Sequence, residues 1–128
     1  LVVGLGRTGQ AALKRADKLQ KQAVGMDADM RLIHAQTASG RQAIVGDALD
    51  PHQWASLDLA CLQGIVIALP GADARLNAVK LIRQAGYTGR LIAYAIDAQE
   101  TELLLAAGAN SVSTLLTDAG ERMAEQAF

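Results

Sequence analysis

Apolar positions along this chain follow two alternating rhythms. Nearly continuous apolar runs at Leu1–Val3, Ala23–Met26, Gln42–Val45, Gly64–Leu69, Arg90–Ile96 and Ser111–Leu115 predict six strands. Runs such as IVIAL lack polar alternation, as a strand covered on both faces does. Between the runs the spacing turns helical: Ala12, Ala16 and Leu19 share one face, and Leu76 and Val79 stand against Lys80 and Arg83 on a later segment.

The punctuation agrees. Asp50-Pro51 reads as an N-cap followed by proline at the first helical position. Asp97 followed by Glu100 fits a variant capping box, and Gly108 stops the helix that follows. Gly40, Gly86 and Gly89 separate other helices from strands. Six strands alternating with six helices, without linker or repeat, predict one α/β domain over residues 1–128. Its expected architecture is a doubly wound parallel sheet in three layers, with helices on both faces.

Composition adds bounds. The chain is 51% hydrophobic but only 3% aromatic, so its core must be aliphatic and alanine-rich. The net charge of −1, with basic residues scattered, gives no reason to expect a nucleic-acid partner. Cys61 is the only cysteine, which excludes an internal disulfide and fits a reducing compartment. No apolar run reaches bilayer-spanning length, and no signal peptide is legible. The chain starts inside a strand and stops inside a helix, and is expected to be part of a longer polypeptide.

The candidate chemistry begins at Gly4, Gly6 and Gly9, spaced G-x-G-x-x-G between the first strand and helix. Gly4 would allow the tight turn, Gly6 a close approach of backbone to a pyrophosphate, and Gly9 close helix–sheet packing. Gln10 stands where a P-loop needs lysine. Strand two closes on Asp27, eighteen residues past Gly9, where the fingerprint expects an acid for a ribose. Such an acid disfavours NADP against NAD(H), AMP or ATP. Strand three runs into Gly46-Asp47-Ala48 at the same edge, where Asp47 could receive an adenine amine and Ala48 line the ring. Leu69-Pro70 would wall the cleft, and Arg7 would reach a phosphate.

Together GLGRTG, MDAD and VGDALDP resemble the nucleotide-binding lobe of RCK domains, also called KTN or TrkA-N. These are cytoplasmic regulatory modules of potassium channels, Trk and Ktr uptake systems and Kef-type potassium/proton antiporters. The similarity continues through IALPGADARLNAVKLIRQAG and AAGAN to the closing TDAGERMAEQAF. It implies a Rossmann-like lobe that dimerises and binds NAD(H), AMP, ADP or ATP. The implied site comprises Gly4, Leu5, Gly6, Arg7, Thr8 and Gly9 at the phosphates. Asp27 with Ala28 would sit at the ribose, and Gly46, Asp47 and Ala48 at the adenine, with Leu69 and Pro70 beside them. The implied partner is a membrane potassium transporter or antiporter, on the same chain or a separate subunit. That places the lobe in the cytoplasm or at the cytoplasmic face of the inner membrane. Tyr94 and Ile96 stand where Kef-type members carry arginines, so the resemblance does not extend to a second-ligand site built from those arginines.

The last helix of the resemblance follows a crossover used for dimerisation. Gly120, Met123, Ala124 and Ala127 share a face there, with Phe128 beside them, suited to a partner or to the domain's own sheet. No catalytic set accompanies the cleft. His34 and His52 read as solvated or capping residues, and no metal-ligand spacing is present. Tyr-x-x-x-Lys is absent, since Leu91 follows Tyr87 and Ala98 follows Tyr94 at that interval. The expectation is a binding domain and not an enzyme; the alternative is the cofactor-binding half of an NAD-dependent oxidoreductase.

Overall fold

The computed structural model describes residues 1–128 and bears out the α/β architecture. Its elements run β1 (Val2–Val3), α1 (Arg7–Lys18), β2 (Val24–Asp27), α2 (Met30–Ala38), β3 (Gln42–Val45) and α3 (Pro51–Ala55). After a 3-10 turn at Leu59–Cys61 come β4 (Gly64–Ile67), α4 (Ala72–Gln84), β5 (Arg90–Ala95), α5 (Ala98–Ala107), β6 (Ser111–Thr114) and α6 (Leu115–Ala127). The six strands form one sheet in the order β3-β2-β1-β4-β5-β6, and every pairing is parallel. The order reverses between β1 and β4, where such sheets open a crevice at their carboxyl ends.

Side chains of successive strand residues point to opposite faces, so Val2 and Val3 report the two layers of helix. Val3 joins the larger core with Met26, Trp54, Ile65, Ile67 and residues of α4 and α5. Val2 joins Leu5, Leu13 and Ile33 beneath α1 and α2. Both cores are aliphatic apart from Trp54 and Tyr87, as the composition requires.

The expected strands sit within one or two residues of the observed ones. β4 ends at Ile67, two residues early, although the Ala68 N–H still donates to the Val3 carbonyl at 2.7 Å. Leu115 opens α6 and does not close β6. The capping box is half made. Asp97 accepts from the Glu100 N–H at 2.8 Å, but the Glu100 carboxylate turns to Ile96 N–H and Arg75. α6 buries none of its side chains: Leu116 is 68% and Met123 65% exposed, so its apolar face does not pack on the domain's own sheet.

At the amino ends of the strands, Arg83 of α4 gathers three segments. Its guanidinium donates to the carbonyls of Gly108, Tyr87 and Gly89 at 2.9, 2.7 and 2.9 Å, and to Asn110 Oδ1 at 2.8 Å. Asn110 Oδ1 also accepts from the Leu91 N–H at 2.8 Å, tying the turn before β6 to β5. Removing the guanidinium would leave these acceptors underused at a largely covered edge. Arg83→Met is expected to cost about 2 kcal/mol in urea unfolding, with an unchanged denaturant slope.

Candidate functional site

The three glycines of the first loop carry three different constraints. Gly4 has φ +93, a region side chains rarely adopt, and a Cβ there would lie 2.8 Å from the Ala68 carbonyl carbon and oxygen. A Cβ on Gly9 would run into the Gly4 carbonyl, so α1 approaches β1 only because that residue lacks one. Gly6 differs: nothing lies within 4 Å of where its Cβ would be. It is the exposed N-cap of α1 and offers no capping side chain. No side chain caps the first-turn N–H groups, and the positive end of the helix dipole lies beside this opening, a setting that favours an anion. The tight turn read at Gly4 and the close helix–sheet packing read at Gly9 are both displayed, and Gly6 lies open between them.

Asp27 sits at the carboxyl end of β2, half-buried, and it braces this loop. Its Oδ2 accepts from the Leu5 N–H at 2.9 Å and its Oδ1 from the Asp29 N–H at 2.8 Å. Each oxygen keeps a further acceptor site, so donors such as ribose hydroxyls can still be received. The bond to Leu5 was not legible in the sequence. Leu5 itself is 0% exposed with its side chain in the α1–α2 core, so it serves through its backbone alone. Gln10 closes the loop from the other side, donating to the Leu5 carbonyl at 3.0 Å.

Beside the loop lies a cleft of about 130 Å³. Val3 and Met26 contribute from β1 and β2, and Asp27, Ala28, Gly46, Asp47, Ala48 and Leu69 are all among its lining residues. Whole-ligand pockets run to about 300–1,000 Å³, so this cleft has room for only part of a ligand. Asp47 caps its own turn, accepting from the Leu49 N–H at 2.9 Å. Ala48 is fixed by Trp54, whose indole N–H donates to its carbonyl at 2.8 Å. A Cβ on Gly46 would lie 2.8 Å from the Gln53 side chain and 2.9 Å from Met26 Sδ, so a side chain there would displace the ends of those two.

Of the expected site residues, Gly4, Leu5, Gly6, Arg7, Thr8, Gly9 and Pro70 are outside the cleft lining. Pro70 is exposed and outside the lining; its carbonyl accepts from Arg75 at 2.9 Å. Arg7 is exposed at the first position of α1, beside the Gly6 opening. Thr8 follows it, half-buried. The histidines at 34 and 52 are both exposed and outside the cleft.

Two residues after Asp27, Asp29 caps α2 and pairs with Arg31 at 2.9 Å. The hydrogen bond from the Arg31 side chain holds the Asp29 carboxyl below its ordinary range. Any stability this adds is lost as pH falls through that lowered value, and solvent screens the pair. Sequence reading missed Arg75, which is 1% exposed and holds the loop after β4. A lone arginine on an otherwise apolar helical face, near Leu76 and Val79, was the available signal.

Comparison with protein-family models matches residues 1–115 to the TrkA-N domain. The chain belongs to the TrkA-N domain family. A comparison with curated proteins finds no sequence match. Among solved structures, the NAD(P)-binding domain of an exopolyphosphatase-related protein from Archaeoglobus fulgidus superposes with a TM-score of 0.90 at 19% identity, covering 98% of this chain and 94% of that one. The TrkA-N domain of the inner membrane protein ybaL from Escherichia coli gives 0.87 at 20% identity, covering 98% and 93%. The Kef CTD of Shewanella denitrificans in its AMP-bound form gives 0.77 at 21% identity, covering 98% and 76%. These likenesses establish the Rossmann-like fold of this TrkA-N domain.

The glycine geometry separates folding from binding. Gly9→Ala is expected to cost about 3 kcal/mol in urea unfolding, because backbone must move to admit the Cβ. Gly6→Ala should cost no more than about 1 kcal/mol, the difference between glycine and alanine at an N-cap.

Proposed function

We propose that this TrkA-N domain binds an adenine nucleotide, NAD(H) or one of AMP, ADP and ATP, and does so without turning it over. The observation that carries this reading is Asp27 bracing the glycine loop at 2.9 Å beside an unobstructed Gly6 and a cleft of about 130 Å³. A phosphate would lie on the first turn of α1, the ribose hydroxyls would donate to Asp27, and the base would enter between Ala48 and Leu69. The AMP-bound Kef CTD and the NAD(P)-binding domain from Archaeoglobus fulgidus, both of this fold, support a nucleotide ligand.

Family membership supports a regulatory role in potassium transport, at the cytoplasmic face of a channel, transporter or Kef-type antiporter. A nucleotide that prefers one arrangement of a dimer would shift the population toward it and so bias the membrane partner. The exposed Leu116, Met123 and Phe128 of the α6 region supply an apolar surface for such a dimer. Sedimentation should show self-association that Met123→Asp weakens.

A thermal-shift and calorimetry panel of NADH, NAD, AMP, ADP, ATP and NADPH tests the ligand. A hundredfold excess over the dissociation constant should add about 2.7 kcal/mol to apparent stability. Gly6→Val should abolish that gain by obstructing the phosphate position. No response to any nucleotide would sink the reading, and NADPH binding as well as NADH would remove the role given to Asp27. Consumption of bound NADH or NAD with a co-substrate would favour the oxidoreductase alternative.

A further inference from the structure

We propose that Arg75 is the positioning residue of the nucleotide cleft, setting its wall and linking that wall to the start of α5. The inference rests on the nucleotide reading of the cleft. Arg75 does not line the cleft itself, but its chain neighbour Ala74 and the loop residue Leu69 both do. Its Nη1 donates to the carbonyls of Leu69 and Pro70, each at 2.9 Å. The Leu69 carbonyl also accepts from the Tyr94 hydroxyl at 2.9 Å. Two donors from different elements therefore fix the peptide that carries Leu69 into the cleft.

The other end of the guanidinium reaches α5. Arg75 Nε donates to Glu100 Oε1 at 2.8 Å, its Nη2 binds the same oxygen, and its plane stacks 4.1 Å from the Tyr94 ring centroid. Glu100 Oε2 accepts from the Ile96 N–H at 3.0 Å, so the junction between β5 and α5 depends on this carboxylate. The guanidinium is 1% exposed and its carboxylate partner 11%. An apolar side chain of similar volume would cost less to bury. What arginine adds is a rigid fork that satisfies fixed acceptors in three directions, which an apolar residue or a lysine cannot reproduce. A ligand pressing on Leu69 would thus be felt at Ile96 and Glu100, which lie outside the cleft.

The test uses the full chain, with AMP, ADP and NADH as probes in calorimetry and amide resonances as reporters. In the wild-type protein, a bound probe should shift the Ile96 and Glu100 amide resonances. Arg75→Lys should weaken the bound probe about tenfold, the effect of losing charge-assisted hydrogen bonds that orient the wall. The paired variant Arg75→Met with Glu100→Gln leaves no buried charge unpaired, and in it the ligand-induced shift at Ile96 should vanish. Variants that melt earlier yet keep wild-type affinity and the Ile96 shift would overturn the assignment and leave Arg75 a structural residue. A wild-type protein in which Ile96 does not respond to a bound probe would overturn it equally. If the wild-type protein binds none of the three probes nor ATP or NAD, the nucleotide reading itself fails, and this inference with it.

Discussion

Gly4 passes the Ala68 peptide with no room for a side chain, and Gly9 passes the Gly4 carbonyl in the same way. Everything at the carboxyl edge depends on this double crossing. It brings α1 down onto β1, so the first turn of the helix starts directly above the strand ends. It also sets the Ala68 peptide directly against Gly4, just before Leu69 lines the cleft. The one glycine of the three with free space around it is the one at the mouth, where crowding would obstruct a ligand and not the fold. Backbone proximity, more than any side chain, therefore makes the site.

Side chains then hold what the backbone has shaped. Asp27 ties the loop to β2 through Leu5, and Trp54 ties Ala48 to α3. α4 carries an arginine at each end, and both work by collecting carbonyls. Arg75 gathers Leu69 and Pro70 at the carboxyl edge, and Arg83 gathers Tyr87, Gly89 and Gly108 at the amino edge. Loop carbonyls that leave a sheet need donors, and these two arginines supply them. One helix therefore fixes the loops at both edges of the half-sheet beneath it, and a disturbance at one edge has a stiff element through which to act.

The sequence made some of this readable and concealed the rest for a physical reason. Local periodicity and turn chemistry placed all six strands, because apolar runs and glycine punctuation act over a few residues. The glycine roles and the end of β2 were readable because a fixed spacing encodes a fixed geometry. Ala28, Gly46, Asp47, Ala48 and Leu69 were placed at the cleft, and they line it. Arg75 meeting Glu100, twenty-five residues away, had no local signature. Nor did the half-made capping box, since Glu100 is drawn from the Asp97 N–H by a charged partner that only the tertiary fold delivers. Pro70 read as cleft wall from its position at the edge, but its ring faces outward and only its carbonyl is used.

The cleft beside the open start of α1 is bounded by walls of different construction. The floor of Val3 and Met26 is built into the main core and cannot yield without loosening it. Leu69 also packs against that core, and its peptide is held in addition by hydrogen bonds from Arg75 and Tyr94. On the nucleotide reading, a ligand therefore meets one wall of core side chains and a second wall held by both packing and polar contacts. Work done on the second wall passes to Tyr94 of β5 and Glu100 of α5, on the side of the sheet leading toward β6 and the exposed helix α6. On the nucleotide reading, occupancy of the cleft would reach those neighbours through the two bonds that hold the Leu69 peptide.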